Sequence, residues 1–269
     1  MTTSFIHLTD LHVSAPELND ANLLSDTTAT LKTIVGMVRE MQPRPAFIVV
    51  SGDITNHGDV ASYRAVRTMM AGIDVPILYA LGNHDSRPGF YEGMLARTSD
   101  PEVPYTHEAV IAGVHVIVLD SSVRGRIAGA LSEEQFAFLD AALDNHPDTQ
   151  KIVAVHHAPA LDDASWETLT AVDSGRLADM LQGRNVAGLL CGHIHHDRVS
   201  NWHGIPVIIG TGLHNAVDPL FTNGLRMLAG AGFALCTLRP SGLTVAFVPL
   251  PSDRRELGVI GADRLATFT

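Results

Sequence analysis

The chain has 269 residues, 46% of them hydrophobic, and its 29 acidic residues outnumber 18 basic ones for a net charge of −11. Such a length and apolar content suit one layered domain with a sizeable core. With Arg254-Arg255 as the sole adjacent basic pair, the chain lacks the basic stripe that a nucleic-acid polymer requires.

Strand-like runs alternate with helical patterns. Phe5–Leu8 reads as a strand, followed by a helix over about 20–41 that Pro43 and Pro45 terminate. Strand Phe47–Val50, a helix over 59–71 and strand Ile77–Ala80 come next, and then strand Val114–Leu119. Ser132 and Gln135 form a capping-box start for a helix over 133–145. Strand Ile152–Val155 precedes a helix over 174–182 that Gly183 ends. Strand Val186–Leu190, a hairpin around His203-Gly204 leading into Val207–Ile209, and strands Ala234–Leu238 and Leu243–Val248 complete the pattern. Alternation of this kind predicts βαβ units with parallel pairing at least through residue 120, and antiparallel strands in the second half. The expected fold is α/β, with a mixed sheet or a pair of sheets and helices outside. No linker or repeat divides residues 1–269, so a single domain is expected. The Gly-rich apolar stretch Gly210–Gly232 lacks a period and is read as a long loop, a candidate cap or dimerisation segment around 210–232.

No apolar run reaches the ~18 residues of a membrane span. The start of the chain lacks the basic and long apolar regions of a secretory leader. A cytoplasmic protein without membrane contact is expected. Cys191 and Cys236 lie in apolar runs and read as buried thiols, whereas 14 histidines offer imidazole to a metal.

Five fragments follow directly after apolar runs: Asp10-Leu11-His12, Gly52-Asp53, Gly82-Asn83-His84-Asp85, His156-His157 and Gly192-His193-Ile194-His195. Ligands of α/β sheets gather beyond the carboxyl ends of strands, so these residues can converge. Asp10 and His12 are two apart, as are His193 and His195, and in extended chain such pairs point the same way. Two carboxylates, one amide oxygen and four imidazoles suit Zn, Mn, Fe or Co rather than a soft-metal site. Seven ligands exceed the three protein ligands of a single open site and fit two ions sharing one carboxylate. Asp10 and Asp53 leave such a pair of ions with excess positive charge for a bridging hydroxide and an anionic substrate. Metal-bound water ionises near pH ~7, and two ions ~3.5–4 Å apart clamp an in-line phosphoryl displacement.

The set Asp10-x-His12, Gly52-Asp53, Gly82-Asn83-His84-Asp85, His156-His157-x-Pro159 and Gly192-His193-x-His195 resembles the calcineurin-like metallophosphoesterases. Within them it is most similar to the class III cyclic-nucleotide phosphodiesterases and the bacterial glycerophosphodiesterases. The likeness runs along nearly the whole chain and is thinnest in the last thirty residues. It implies a β-sandwich of layered mixed β-sheets flanked by helices. It also implies one ion held by Asp10, His12, Asp53 and His195, and a second held by Asp53, Asn83, His156 and His193. His84 would face the phosphate as a charge stabiliser or general acid, and Asp85 would orient its neighbours. Protein phosphatases of the superfamily carry Gly-Asp-x-x-Asp-Arg-Gly, whereas here Gly52-Asp53-Ile54-Thr55-Asn56-His57-Gly58 lacks the arginine. Purple acid phosphatases place a metal-binding Tyr where Asn56 stands. Asn56 and His214 resemble positions that line the substrate pocket of the glycerophosphodiesterase branch.

The activity implied is hydrolysis of small phosphodiesters, either 3′,5′-cyclic nucleotides or glycerophosphodiesters, by a homo-oligomer or monomer. Phosphomonoesterase, phosphonate monoesterase, nuclease and a metal-free scaffold are the competing readings. His7, His107, His115, His146 and His203 are read as packed or solvent-facing. His157 and His196 are read as supporting or surface residues, His57 as pocket wall or surface loop, and Asp120 as a turn cap.

Overall fold

The computed structural model describes residues 2–160 and 172–267. Strand β1 (Thr3–Leu8) parts its side chains by the two-residue period of a strand. Ile6 and Leu8 pack beneath α1 (Thr27–Glu40) and α2 (Val60–Met70), while Phe5 faces a second sheet. Strand β2 (Ile48–Ser51) repeats the division, with Ile48 and Val50 on the helix side and Val49 on the other. β1 runs parallel to β2, and β2 to β3 (Ile77–Ala80), as two βαβ units. Antiparallel β12 (Gly232–Arg239) and β13 (Gly242–Pro249) complete a sheet of order β13-β12-β1-β2-β3.

The second sheet is built around parallel strands β5 (Val114–Val118), β6 (Lys151–Ala154), β7 (Val186–Cys191) and β9 (Ile205–Ile209). Antiparallel β4 (His107–Ile111) and β8 (Arg198–Trp202) close its edges. Its outer face packs against α4 (Glu133–Asp144) and α5 (Ser174–Leu181) through Leu139, Leu143, Leu177 and Leu181. The inner faces of the two sheets bury Phe5, Phe47, Val116, Val118, Ile152, Leu190 and Cys236 between them, and the Phe5 and Phe47 rings stack at 4.7 Å. This is the expected β-sandwich with helices outside.

Several local expectations change. Parallel pairing does not run through residue 120, because β4 and β5 form an antiparallel hairpin. Ala112 and Gly113, at φ 48° and 78°, make a two-residue turn whose handedness matches paired strands and leaves no room for a crossover helix. Parallel pairing instead extends into the second half. His203-Gly204, at φ 48° and 84°, forms the expected β8–β9 hairpin turn. Helix α1 begins at Thr27 rather than near 20, because Asp26 caps it by accepting from the Ala29 amide. Ser132 caps α4 as expected, but the Gln135 side chain accepts from the Asp120 amide instead of completing a capping box. Sequence reading also missed helix α3 (Arg87–Gly93). The 210–232 stretch is not a loop throughout. β11 (Gly224–Leu228) pairs with β10 (Ala216–Val217) on one side and β14 (Glu256–Gly261) on the other in a small antiparallel sheet of short strands. Among the described residues no helix is long and apolar enough to cross a membrane.

His7 sits inside β1, fully buried, with Nε2 2.8 Å from Ser51 Oγ, and burial pushes its pKa from 6.5 to about 4. The folded protein therefore resists protonation that the unfolded chain accepts, so this contribution is intact above pH 6.5 and lost as pH falls toward 4. The loss is roughly 3 kcal/mol. Urea denaturation of the chelator-treated protein should show a smaller fall in unfolding free energy across that interval in His7→Gln than in the parent.

Candidate metal centre

Each fragment that follows an apolar run lies at the carboxyl end of a strand, and the two sheets aim these ends at one place. Asp10 and His12 follow β1, Asp53 follows β2, and Asn83 and His84 follow β3. His156 follows β6, and His193 and His195 follow β7. The chain turns inward through left-handed backbone: Asp10, His12, Asp53, His193 and His195 have φ of 50°, 43°, 48°, 71° and 56°. Asp and His are among the side chains that visit this region more readily than most. Glycines let the segments close up. A Cβ on Gly82 would lie 2.3 Å from Asp53 Oδ1, and one on Gly192 2.5 Å from Asp10 Oδ2.

The seven ligand candidates come together. His195 Nε2 lies 3.2 Å from Asp10 Oδ1 and 3.3 Å from His12 Nε2. His12 Nε2 is 3.6 Å from Asp53 Oδ2, which is 3.2 Å from His156 Nε2. His193 Nδ1 stands 2.9 Å from Asn83 Oδ1. Protein groups fix the far side of several of them. His156 Nδ1 donates to Ser51 O at 2.9 Å, and His12 Nδ1 faces Asn56 Oδ1 at 3.0 Å. Asp10 Oδ2 accepts from Thr9 Oγ1, and Asp53 Oδ1 from the His84 amide.

Two observations fit this set to metal. Nitrogens bound at ~2.0–2.1 Å in tetrahedral geometry lie ~3.3 Å apart, the spacing of His12 and His195. The buried Nε2 of His156 is faced by carboxylates, Asp53 Oδ2 at 3.2 Å and Asp10 Oδ1 at 4.0 Å, and buried anions of this kind call for a cation. Among the described residues, four groups of candidate ligand atoms lie here, linked through shared His12, Asp53 and His156, and one of them is Asp10, Asp53 and His156.

Charge in the site is concentrated and mutually compensating. Burial would raise the Asp10 and Asp53 carboxyls, but His195 and His156 hold them well below the usual carboxylate range. Burial disfavours the charged form of His156, yet Asp53 and Asp10 lift it to about 9. Burial, with His156 beside it, pushes His193 down to about 3. His12 is lowered by burial and by His84.

The remaining predicted residues take distinct places. His84 Nδ1 donates to the Asn56 main-chain oxygen at 2.9 Å, and its ring lies edge-on to His12. Asn56, expected at the substrate pocket, is buried behind His12, and its amide is engaged by His12 and by Asp20 at 2.7 Å. His214 lies beside the rings of His12 and His195, but its Nε2 accepts from the Leu24 amide at 2.9 Å. His157 is buried, with its nitrogens on Ser121 Oγ and Ile127 O. Asp120 caps the turn to Ser122 as expected, and it also pairs with Arg87.

Asp85 accepts from the amides of Gly82, Ile54 and Thr55 and from Tyr63 Oη, tying the loop after β2 to the loop after β3. Burial and the Asp53 carboxylate raise its pKa to about 7. Asp20, Tyr63, Thr9 and Ser51 support the site without having been found in the sequence. They belong to no motif, and a buried carboxylate in a loop has no periodic signature.

Because a Cβ on Gly82 would press on Asp53 and His156 together, Gly82→Ala should lower Mn²⁺ affinity at least about tenfold by calorimetry. Gly175→Ala, in α5 with nothing within 4 Å of the added methyl, should leave it unchanged.

The family model described as "Calcineurin-like phosphoesterase" matches residues 3–197. A Rhodococcus erythropolis protein named a probable cyclic nucleotide phosphodiesterase is 31% identical over 212 residues, 77% of this chain and 69% of the relative. A Mycobacterium tuberculosis cAMP/cGMP dual specificity phosphodiesterase is 28% identical over 256 residues, covering 91% of this chain and 79% of its own. A dimetal phosphatase structure from Danio rerio superposes with a TM-score of 0.61 at 18% identity, over 92% of this chain and 98% of that one, and so shares the fold. Nearly the whole first two thirds of the sequence, including every fragment that turns inward at a strand end, lies within the family match, and the chain belongs to the calcineurin-like phosphoesterase family.

Proposed function

We propose that this chain hydrolyses small phosphodiesters with two metal ions held between its sheets. Asp10, His12, Asp53 and His195 hold one ion, and Asp53, Asn83, His156 and His193 hold the other, with Asp53 shared. The observation that carries this reading is the convergence of Asp10, His12, Asp53, His156 and His195 donor atoms within 3.2–4.0 Å contacts at the join of two sheets. When bound, the ions supply Lewis acidity toward the phosphoryl oxygens and an activated water for in-line attack.

The chain's own residues do the rest. Asp53 Oδ1 accepts from the His84 amide, so the shared carboxylate and the histidine are held in one register. His84 commits Nδ1 to the Asn56 carbonyl, which leaves Nε2 as the edge able to meet the substrate. In its doubly protonated form His84 gives that Nε2 proton to the departing alkoxide oxygen. The net charge of −11 disfavours polymeric nucleic acid, so the anion recognised is small. The cyclic-nucleotide phosphodiesterase names of the Rhodococcus and Mycobacterium relatives favour a 3′,5′-cyclic nucleotide over a glycerophosphodiester.

Mn- and Zn-loaded protein should be offered cyclic AMP, glycerophosphocholine, a phosphonate monoester, bis(p-nitrophenyl) phosphate and p-nitrophenyl phosphate, with metal content measured in parallel. Two metals per chain and faster cleavage of diesters than of the matched monoester are expected. Less than one metal after reconstitution with no diester turnover overturns the proposal, and preferential monoester cleavage replaces it with a phosphomonoesterase.

His84→Gln should keep its metal and lose about 10²–10⁴-fold in rate on substrates with alkoxide leaving groups. The loss should be much smaller with p-nitrophenolate, which leaves without a proton. Equal losses on both would remove the acid role.

A further inference from the structure

Asp20 lies in the loop between β1 and α1, outside every motif, yet its side chain is only 2% exposed. Four donors converge on it: Ser14 Oγ at 2.5 Å, Asn56 Nδ2 at 2.7 Å, His57 Nε2 at 2.8 Å and the Asn22 amide at 2.9 Å. Burial works against its charge, but the bonds from Ser14, Asn56 and His57 hold the carboxyl well below the usual range. An ionised carboxylate only accepts hydrogen bonds. That single fact fixes a sequence of directions.

Asn56 must turn its NH₂ toward Asp20, so its Oδ1 points the other way, at His12 Nδ1 3.0 Å distant. An amide oxygen also only accepts, so His12 must carry its proton on Nδ1. His12 Nε2 is then the lone-pair nitrogen, and it faces Asp53, Asp10 and His195. The main-chain carbonyl of the same Asn56 receives His84 Nδ1 at 2.9 Å, so one anchored residue orients both a proposed ligand and the proposed acid.

Resting on the proposed metal site, we infer that Asp20 is a positioning residue that, through the Asn56 amide, holds His12 in the tautomer that can bind metal. Metal-bound histidines commonly use the other ring nitrogen on a carboxylate or carbonyl. Here the carboxylate acts one residue further out, with an amide as intermediary. Replacing Asp20 by Asn lets an NH₂ face Asn56, which frees the Asn56 amide to reverse and present its own NH₂ to His12. That reversal places the proton on His12 Nε2.

The test is a set of three proteins: the parent, Asp20→Asn, and the exchange variant Asp20→Asn with Asn56→Asp. In the exchange variant the carboxylate at 56 accepts from both His12 and the new amide at 20, so net charge and the direction of the bond from His12 are conserved while the bond between 20 and 56 reverses. Long-range ¹H–¹⁵N spectra of metal-free, ¹⁵N-histidine protein report which His12 nitrogen is protonated, and calorimetry gives Mn²⁺ affinity. The parent and the exchange variant should show Nδ1–H, with affinities within about threefold of each other. Asp20→Asn should gain Nε2–H and lose about 10–100-fold in affinity.

An Asp20→Asn protein that keeps Nδ1–H and parental affinity overturns the inference. So does an exchange variant that retains Nε2–H at His12 or falls 10-fold or more below the parent in affinity, about the lower bound for a lost supporting partner. The exchange variant decides the matter alone if Asp20→Asn does not fold. A parent that binds no metal and cleaves no diester refutes the metal-site reading instead, while the tautomer in metal-free protein still reports on Asp20.

Discussion

Phe5 and Phe47 stack in the seam between the two sheets, among Val49, Val116, Ile152 and Leu190. That buried seam sets the distance between two families of strand ends. Asp10, Asp53 and Asn83 come from one sheet, and His156, His193 and His195 from the other. Each sheet gathers a candidate trio of its own, His12, Asp53 and His84 on one side and His156, His157 and His193 on the other, and the seam brings the two together. The 3.2 Å contacts of His195 with Asp10 and of His156 with Asp53 both cross the seam, so a shift of one sheet by half a residue would separate them. The apolar core is therefore the ruler for the polar site.

Against that support the site concentrates unfavourable terms. Five residues stand in left-handed backbone, each at a cost of roughly 1 kcal/mol or more for an L-residue. Two carboxylates and several imidazoles are buried side by side, where unpaired charge is strongly penalised. The metal-free protein answers by sharing protons, with His156 lifted to about 9 between Asp53 and Asp10. Strain and buried charge of this kind persist where the surrounding structure over-determines them, and the glycines that admit no Cβ beside Asp53 and Asp10 are part of that over-determination.

Much of this was legible in the chain. Buried strands announce themselves as β-branched runs, and Asp10, Asp53 and His193 stand two residues beyond such runs because the sheet delivers them there. The misses have physical reasons. Helix α3 has only seven residues, too few for a helical period to declare itself. The β4–β5 hairpin turns on Ala112, a residue with no preference for left-handed backbone. The resemblance places Asn56 at the substrate pocket and is silent on the support it gives His12. Its actual neighbours, Asp20 and His12, are 36 and 44 residues away, a proximity that local pattern does not encode. Asp20 itself sits among Pro16, Glu17 and Asn19, where a buried acid looks like any solvated loop residue.

The division of the site between the sheets also has a temporal side. A chain emerging from the ribosome delivers Asp10, His12, Asp53 and Asn83 early, and domains fold as units during synthesis. His156, His193 and His195 follow only after more than half the chain has been made. β12, which flanks β1 in the first sheet, comes later still. The growing polypeptide thus holds Asp10, His12, Asp53, Asn83 and His84 without the three histidines of the second sheet for much of its synthesis. The full set of seven proposed ligands is assembled only when the second sheet has closed over the first, which makes the finished cluster a register of completed assembly.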